Sequence, residues 1–282
     1  MLVRKTIAET RSAIRALRSA GKSIGFVPTM GALHEGHLAL VRAARRQCDA
    51  VVVSIFVNPT QFGPSEDLDR YPRPFEQDSA LLAAEGVDVL FAPAPEEMYP
   101  AGATTFVTVE ELSSRLDGAS RPGHFRGVAT VVAKLFNVVQ PDVAFFGQKD
   151  AAQVAVLRRM VRDLDFNVEI AVQATVREAD GLAMSSRNRY LSPQERISAL
   201  ALSQALLLME VMAQNGEHDA ERLLAEGRRK LVAEPGVRLD HLSIVNPHTL
   251  EPLENVASGA LIAVAAYVGN TRLIDNILLH GK

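Results

Sequence analysis

Val51-Val52-Val53-Ser54-Ile55-Phe56-Val57 is a near-continuous run of β-branched and apolar residues. Such a run reads as a strand covered on both faces, the condition of a strand inside a parallel sheet. Its surroundings fit. Residues 23–27 form a short apolar strand pattern, and 38–47 has helical spacing through Leu38, Val41 and Ala44. Residues 75–85 are helical, and 87–91 reads as a third parallel strand. Upstream, Thr6 and Glu9 make a capping-box pattern for a helix that runs to Gly21. The alternation resumes with 127–139 helical, 143–146 a strand, 150–164 helical and 168–172 a strand. Strands alternating with helices of about ten to fifteen residues build βαβ units and a parallel sheet.

Beyond residue 175 the pattern changes. Two amphipathic helices are expected, at 193–213 (opened by Ser192-Pro193, a good N-cap and N1 pair) and at 219–233. Short strands follow at Val237–Val245, 261–268 and 273–277. The expected fold class is therefore α/β: a Rossmann-like parallel-sheet nucleotide-binding domain over 1–175, then a smaller α+β lid domain over 176–282. The boundary falls in 175–190. The 282 residues suit one large domain or two ordinary ones, and a 48% apolar fraction supplies a core. Residues 58–74 form a loop carrying Pro59, Pro64, Pro72, Pro74 and Gly63. Loops that long inside a compact domain are usually functional or mobile.

The totals exclude several classes. A net charge of −3 gives no electrostatic footprint for nucleic acid. No apolar run approaches the ~18 residues of a membrane span, and Glu9 and Arg11 interrupt any signal-peptide core. Cys48 stands alone, so an internal disulfide and a multi-cysteine metal site are excluded, and it reads as a small buried hydrophobe. The expected setting is cytoplasmic, with neither a membrane nor a nucleic acid as partner.

Chemistry concentrates first in Pro28-Thr29-Met30-Gly31-Ala32-Leu33-His34-Glu35-Gly36-His37. A strand ends in a glycine-containing turn that delivers two imidazoles to a helix start, where unpaired N–H groups and the dipole favour phosphate. Histidines three apart share a face. The zinc-protease pattern needs them four apart with an adjacent glutamate, so metal binding by this pair is not expected. The plain alternative is two solvated residues capping a helix.

Three further segments suit anions. Gly147-Gln148-Lys149-Asp150 follows the strand at 143–146, with Gln153 one turn on. The chain has six lysines among its 30 basic residues, and Lys149 sits at a helix start that the dipole disfavours unless an anion is bound. Met184-Ser185-Ser186-Arg187-Asn188-Arg189 offers hydroxyl and guanidinium donors to phosphate oxygens. Arg121-Pro122-Gly123-His124-Phe125-Arg126 is a basic turn that could meet a carboxylate, or simply face solvent. Gln61, in Asn58-Pro59-Thr60-Gln61-Phe62-Gly63, carries an amide able to read a hydroxyl or carboxylate.

Taken in order, 28–37, 58–63, 121–128, 145–153 and 175–191 closely resemble the signature blocks of the pantoate–β-alanine ligases, also called pantothenate synthetases. The first block is similar to the histidine signature of class I adenylate-forming nucleotidyltransferases, and 184–187 to their second, mobile loop. Two departures stand out: Gln148, where an acidic residue is common in the family, and Ala151-Ala152 in place of bulkier residues. They bear on substrate fit.

The resemblance implies a two-step reaction. Pantoate's carboxylate attacks the α-phosphate of ATP, giving pantoyl adenylate and pyrophosphate, and the β-alanine amine then takes the acyl group, releasing AMP. Catalysis would rest on positioning and charge stabilisation, with no covalent nucleophile. By resemblance, residues 30–37, including Met30 and Gly31, line the ATP site. His34 and His37 bond the phosphates, with His37 preferred as proton donor. Lys149 neutralises the α- and β-phosphates. Gly147, Asp150 and Val176 hold the adenosine, Ser185, Ser186 and Arg187 hold the triphosphate, and Gln148 and Met184 belong to the same ATP site. Gln61 and Gln153 grip pantoate, with Asn58 and Arg121 at the substrate end. Mg²⁺ arrives with ATP, no protein metal site is expected, and the family usually forms homodimers. The 58–74 loop and the smaller domain are expected to shut the site against water. Two other readings stand beside this one: a nucleotidyltransferase acting on a phosphorylated alcohol, and a nucleotide sensor without turnover.

Overall fold

The computed structural model describes residues 1–64 and 66–281. Ser65, inside the loop expected at 58–74, and Lys282, at the end of the domain expected at 176–282, lie outside the described residues. The chain divides into two compact units. One comprises Met1–Ser113, Arg121–Gly147 and Val156–Gln173; the other comprises Ser114–Ser120, Gln148–Ala155 and Ala174–Lys282.

In chain order the elements are β1 (Leu2–Arg4), α1 (Ile7–Ser19), β2 (Ile24–Thr29), α2 (Glu35–Gln47), β3 (Ala50–Ile55), α3 (Phe75–Ala84), β4 (Val89–Phe91) and α4 (Pro95–Met98). Then come α5 (Asp117–Ser120), α6 (His124–Val139), β5 (Val143–Gly147), α7 (Ala151–Asp163) and β6 (Glu169–Gln173). The last group is α8 (Pro193–Gln214), α9 (Ala220–Val232), β7 (Val237–Val245), β8 (Gly259–Val268) and β9 (Thr271–His280).

In the first unit six strands form one sheet in the order β1-β4-β3-β2-β5-β6, and every neighbouring pair is parallel. The valine run predicts this environment: Val51, Val52 and Val53 are fully buried in β3. Helix α2 packs close over β2 because Gly25 has no side chain; a Cβ there would meet Cys48 Sγ at 3.1 Å. Cys48 is buried as expected, and that burial pushes its thiol pKa up. Strand order reverses at β2. From there the chain steps to β3 and β4 on one side, while β5 and β6 lie on the other. The carboxyl ends of β2 and β5 thus flank a topological switch point, where open α/β sheets bind their ligands.

In the second unit β7, β8 and β9 form an antiparallel sheet. Its core joins α8 and α9 to the sheet through Leu202, Leu206, Met209, Leu223, Leu231, Ile244 and Ile262. Ser192 caps α8 reciprocally, its hydroxyl accepting from Glu195 N at 3.3 Å while Ser192 N donates to the Glu195 carboxylate at 2.8 Å.

Four expectations need correction. The sequence pattern gives no sign of β1; three residues on a sheet edge, with Leu2 half exposed, are too few to show a period. Helix α2 begins at Glu35, not near 38, and α6 at His124, not 127, because neither first turn is apolar in pattern. β8 and β9 extend beyond 261–268 and 273–277. Finally, α8 at 22 residues is long and apolar enough to span a membrane by length and composition, contrary to the reading of the sequence. Its apolar residues have a packing use instead: Ala199, Leu202, Ala205, Leu206 and Met209 are all buried in the second unit's core.

Candidate active site

The first unit carries Met30, Gly31, His34, His37, Asn58, Gln61, Arg121 and Gly147. The second carries Gln148, Lys149, Asp150, Gln153, Val176, Met184, Ser185, Ser186 and Arg187.

β2 ends at Thr29, and the chain turns sharply through Gly31 (φ 80°) and Ala32 (φ 51°). Thr29 Oγ1 donates to the Ser54 carbonyl of β3 at 2.7 Å and accepts from Gly31 N at 3.1 Å. Ala32 N and Leu33 N donate to the Asp78 carboxylate. The N–H groups of 31–33 are therefore engaged within the protein. His34 is the N-cap of α2 and His37 lies in its first turn. Their ring centroids are 4.1 Å apart. His34 N donates to His37 Nδ1 at 3.4 Å, which favours the tautomer with the proton on Nε2. Gly36 makes the pairing possible: a Cβ there would stand 3.0 Å from both Cε1 and Nδ1 of His34. Gly147, at the carboxyl end of β5, faces open space where a Cβ would go.

Asn58 is buried, and its amide is fully used. Nδ2 donates to Gln61 Oε1 at 3.0 Å and to the Gly127 carbonyl at 3.1 Å, while Oδ1 accepts from Thr60 Oγ1 and Tyr99 Oη, both at 2.9 Å. Gln61 in turn donates through Nε2 to Met30 Sδ at 3.0 Å, so the Gln61 loop and the histidine turn are joined. The loop rests directly on α6 at Gly127, where any Cβ would collide with the Thr60 carbonyl.

Arg121, expected to meet a substrate carboxylate, holds Glu66 with two 2.6 Å hydrogen bonds. His124 Nε2 lies 3.0 Å from Arg121 Nη1, and its Nδ1 lies 2.8 Å from the Gln61 carbonyl, which fits Nδ1–H donating and Nε2 accepting. Partial burial pushes the Glu66 carboxyl pKa up, but the hydrogen bond and charge of Arg121 outweigh it, and the net shift is downward.

In the second unit, Gln148, Lys149 and Asp150 form a 3₁₀ turn that leads into α7. The Lys149 ammonium lies 3.7 Å from the Asp150 carboxylate. Asn276 of β9, which is buried, donates to the carbonyls of Gln148 (3.0 Å) and Lys149 (2.8 Å) and accepts from the Gln148 amide (3.0 Å). Gln148, a departure from the family pattern, thus pairs amide to amide. Gln153 is half-buried on α7. Val176 and Met184 face each other across a narrow hairpin, with Met184 N donating to the Val176 carbonyl at 2.9 Å. Ser185 caps the short 3₁₀ helix Ser186–Tyr190 by accepting from Arg187 N at 3.3 Å. That segment is pinned by Asn188, which donates to Glu178 at 2.6 Å.

Sequence reading missed Asp78, Glu66 and Asn276, and missed the packing constraint at Gly36 and Gly127. Two of these left a trace: Gly36 and Gly127 stand inside helices, where glycine is disfavoured without a packing reason. The other three act through contacts distant in sequence, and no local pattern marks them.

A parallel sheet with paired imidazoles at its switch point is the framework of a nucleotide-handling α/β enzyme. The family model for pantoate–β-alanine ligase matches residues 2–278. A pantothenate synthetase of Acidobacterium capsulatum is 66% identical over 98% of this chain and 96% of its own length, and one of Koribacter versatilis is 59% identical over 99% and 96%. Among solved structures, the pantothenate synthetase of Thermus thermophilus superposes with a TM-score of 0.94 at 54% identity, covering 98% of this chain and 99% of that one. The pantoate–β-alanine ligase of Francisella tularensis, solved in complex with β-γ ATP and β-alanine, gives a TM-score of 0.81 at 36% identity over 99% and 97%. The chain belongs to the pantoate–β-alanine ligase family, enzymes that form a C–N bond.

Proposed function

We propose that this chain condenses pantoate with β-alanine at the expense of ATP, and that the residues above carry the reaction. In the first step a pantoate carboxylate oxygen attacks the α-phosphorus, the bond between the α-phosphorus and the bridging oxygen breaks, and pyrophosphate leaves. In the second, the β-alanine amine attacks the acyl carbon, the C–N bond forms, the bond to AMP breaks and the amine sheds a proton. The observation that supports this reading is the imidazole pair at the carboxyl end of β2, next to the sheet's switch point.

His34 and His37 bond phosphate oxygens, and His37 Nε2–H donates as negative charge builds on the leaving pyrophosphate. Lys149 neutralises the α- and β-phosphates. Met30, Gly31, Gly147, Gln148, Asp150, Val176 and Met184 surround the nucleoside portion, and Ser185, Ser186 and Arg187 meet the triphosphate. Gln61 and Gln153 grip pantoate's hydroxyl and carboxylate groups. Asn58 and Arg121 serve the same end by fixing Gln61 through its side chain and its backbone. Magnesium would enter with the ATP phosphates and help neutralise their charge, keeping several waters. Residues 176–282 take the lid role, the assembly is a homodimer, and the setting is cytoplasmic.

The deciding experiment incubates the pure chain with ATP, Mg²⁺, pantoate and β-alanine and assays pantothenate. Pyrophosphate release should require pantoate, and AMP release should require β-alanine. Pyrophosphate release that ignores pantoate would defeat the proposal.

A further inference from the structure

We infer that Asp78 is a positioning residue for the imidazole pair, acting through the backbone of the turn that precedes it; the inference rests on the function proposed above. The turn is held in an arrangement that its own sequence resists. Gly31 and Ala32 both lie in the left-handed region, and for Ala32 (φ 51°) that conformation persists only if neighbours impose it. The imposing group is the Asp78 carboxylate of α3, which is 1% exposed. Its Oδ2 accepts from Ala32 N and its Oδ1 from Leu33 N, each at 2.8 Å. Two consecutive N–H groups aimed at one buried anion form a fixed cradle, and charge-assisted bonds of this length are the strong kind.

His34 follows that cradle directly and His37 reads its orientation from His34 N. Asp78 therefore reaches the imidazoles along the backbone of the turn. A small shift at the cradle becomes a shift at the rings, and misplacement of reacting groups by about 1 Å costs on the order of 100-fold in rate. Gly31 shows how tight the contact is: a Cβ on it would stand 3.0 Å from Asp78 Oδ2.

The test compares Asp78→Asn with Leu82→Ala, a fully buried core change on the same helix. Each variant is followed by thermal unfolding, by pyrophosphate release at saturating ATP and pantoate, by the KM for ATP, and by NMR of the Ala32 and Leu33 amide protons and the His37 imidazole. Asp78→Asn is expected to lower kcat by about 100-fold while the KM for ATP moves little, with upfield amide shifts and an altered His37 ring signal. Leu82→Ala is expected to lower Tm yet keep kcat per folded molecule. Asp78→Ser, which leaves room for water at the two N–H groups, is expected to behave as Asp78→Asn and serves if the latter does not fold. The inference is overturned if folded Asp78→Asn keeps kcat within about threefold of wild type, or if it and Leu82→Ala lose activity in proportion to lost folded protein. Failure of both Asp78 variants to fold, with Leu82→Ala folded, would also overturn it by making Asp78 a stability residue. Absence of pantoate-dependent pyrophosphate release in the wild type would instead sink the proposed function, and the NMR signals would still judge Asp78.

Discussion

The side-chain amide of Asn276 on β9 donates to the backbone carbonyl of Lys149 at 2.8 Å, so the lysine's turn is held by a residue 127 positions away. The same amide also holds the Gln148 carbonyl. Removing it in Asn276→Ala takes the donor from two part-buried carbonyls, which costs about 1 kcal/mol. The expected outcome is a lower Tm together with a KM for ATP raised roughly tenfold, as expected when a binding interaction is weakened. Steady-state kinetics with ATP varied checks it; an unchanged KM would show that Lys149 does not depend on this support.

Gly36→Ala separates stability from activity. Gly36 is the second residue of α2, so alanine there should gain the helix no more than about 0.5 kcal/mol over glycine. The added Cβ, however, would press on His34 at 3.0 Å and turn its ring. Thermal unfolding should show a Tm no lower than wild type, while the rate of adenylate formation should fall by at least about tenfold.

His37→Gln keeps a hydrogen-bond donor of similar reach but cannot shuttle a proton. Loss of general-acid help typically costs about 10²–10⁴-fold, so kcat should fall into that range with little change in thermal unfolding. A variant within a few-fold of wild type, by pyrophosphate release, would remove His37 from the chemistry.

Arg121→Ala and Glu66→Ala should act alike, because each breaks the same paired fork beside the Gln61 carbonyl. Both are expected to raise the KM for pantoate while leaving the KM for ATP near wild type. If Arg121 instead bound pantoate itself, Glu66→Ala would lower the pantoate KM by freeing the fork. Opposite signs for the two variants would therefore reassign the arginine.

His241 makes the second unit acid-sensitive. Burial holds its pKa below the ordinary 6.5, outweighing the pull of Asp117 and Asp240, while Arg272 adds to the lowering. The unfolded chain then binds a proton more readily than the folded one, so stability is full above about pH 6.5 and declines as pH falls from 6.5 through the depressed folded value. Urea unfolding of the wild type should show this decline, and His241→Gln should abolish it. A pH slope unchanged in the variant would place the sensitivity elsewhere.

The valine run at 51–53, the capped start of α1 and the helix–strand alternation were legible because each depends on neighbours within a few residues. Burial on both faces, side-chain period and cap chemistry are local demands. The turn at 28–37 was legible for the same reason, since a strand end, a glycine and two imidazoles fit within ten residues. β1 was not, because three residues on an edge carry no period.

Sequence alone thus determined the parallel sheet, the smaller α+β unit that follows it and the identity of the chemical groups. Tertiary structure alone decided that β5 pairs with β2 and makes the switch point, that Asp78 grips the turn, that Glu66 fills Arg121's fork and that Asn276 holds the Lys149 carbonyl. The physical reason is range. Propensity and periodicity act along the chain, whereas a hydrogen bond between residues 45, 55 or 127 positions apart forms only once packing has brought both groups out of water and left each with no better partner.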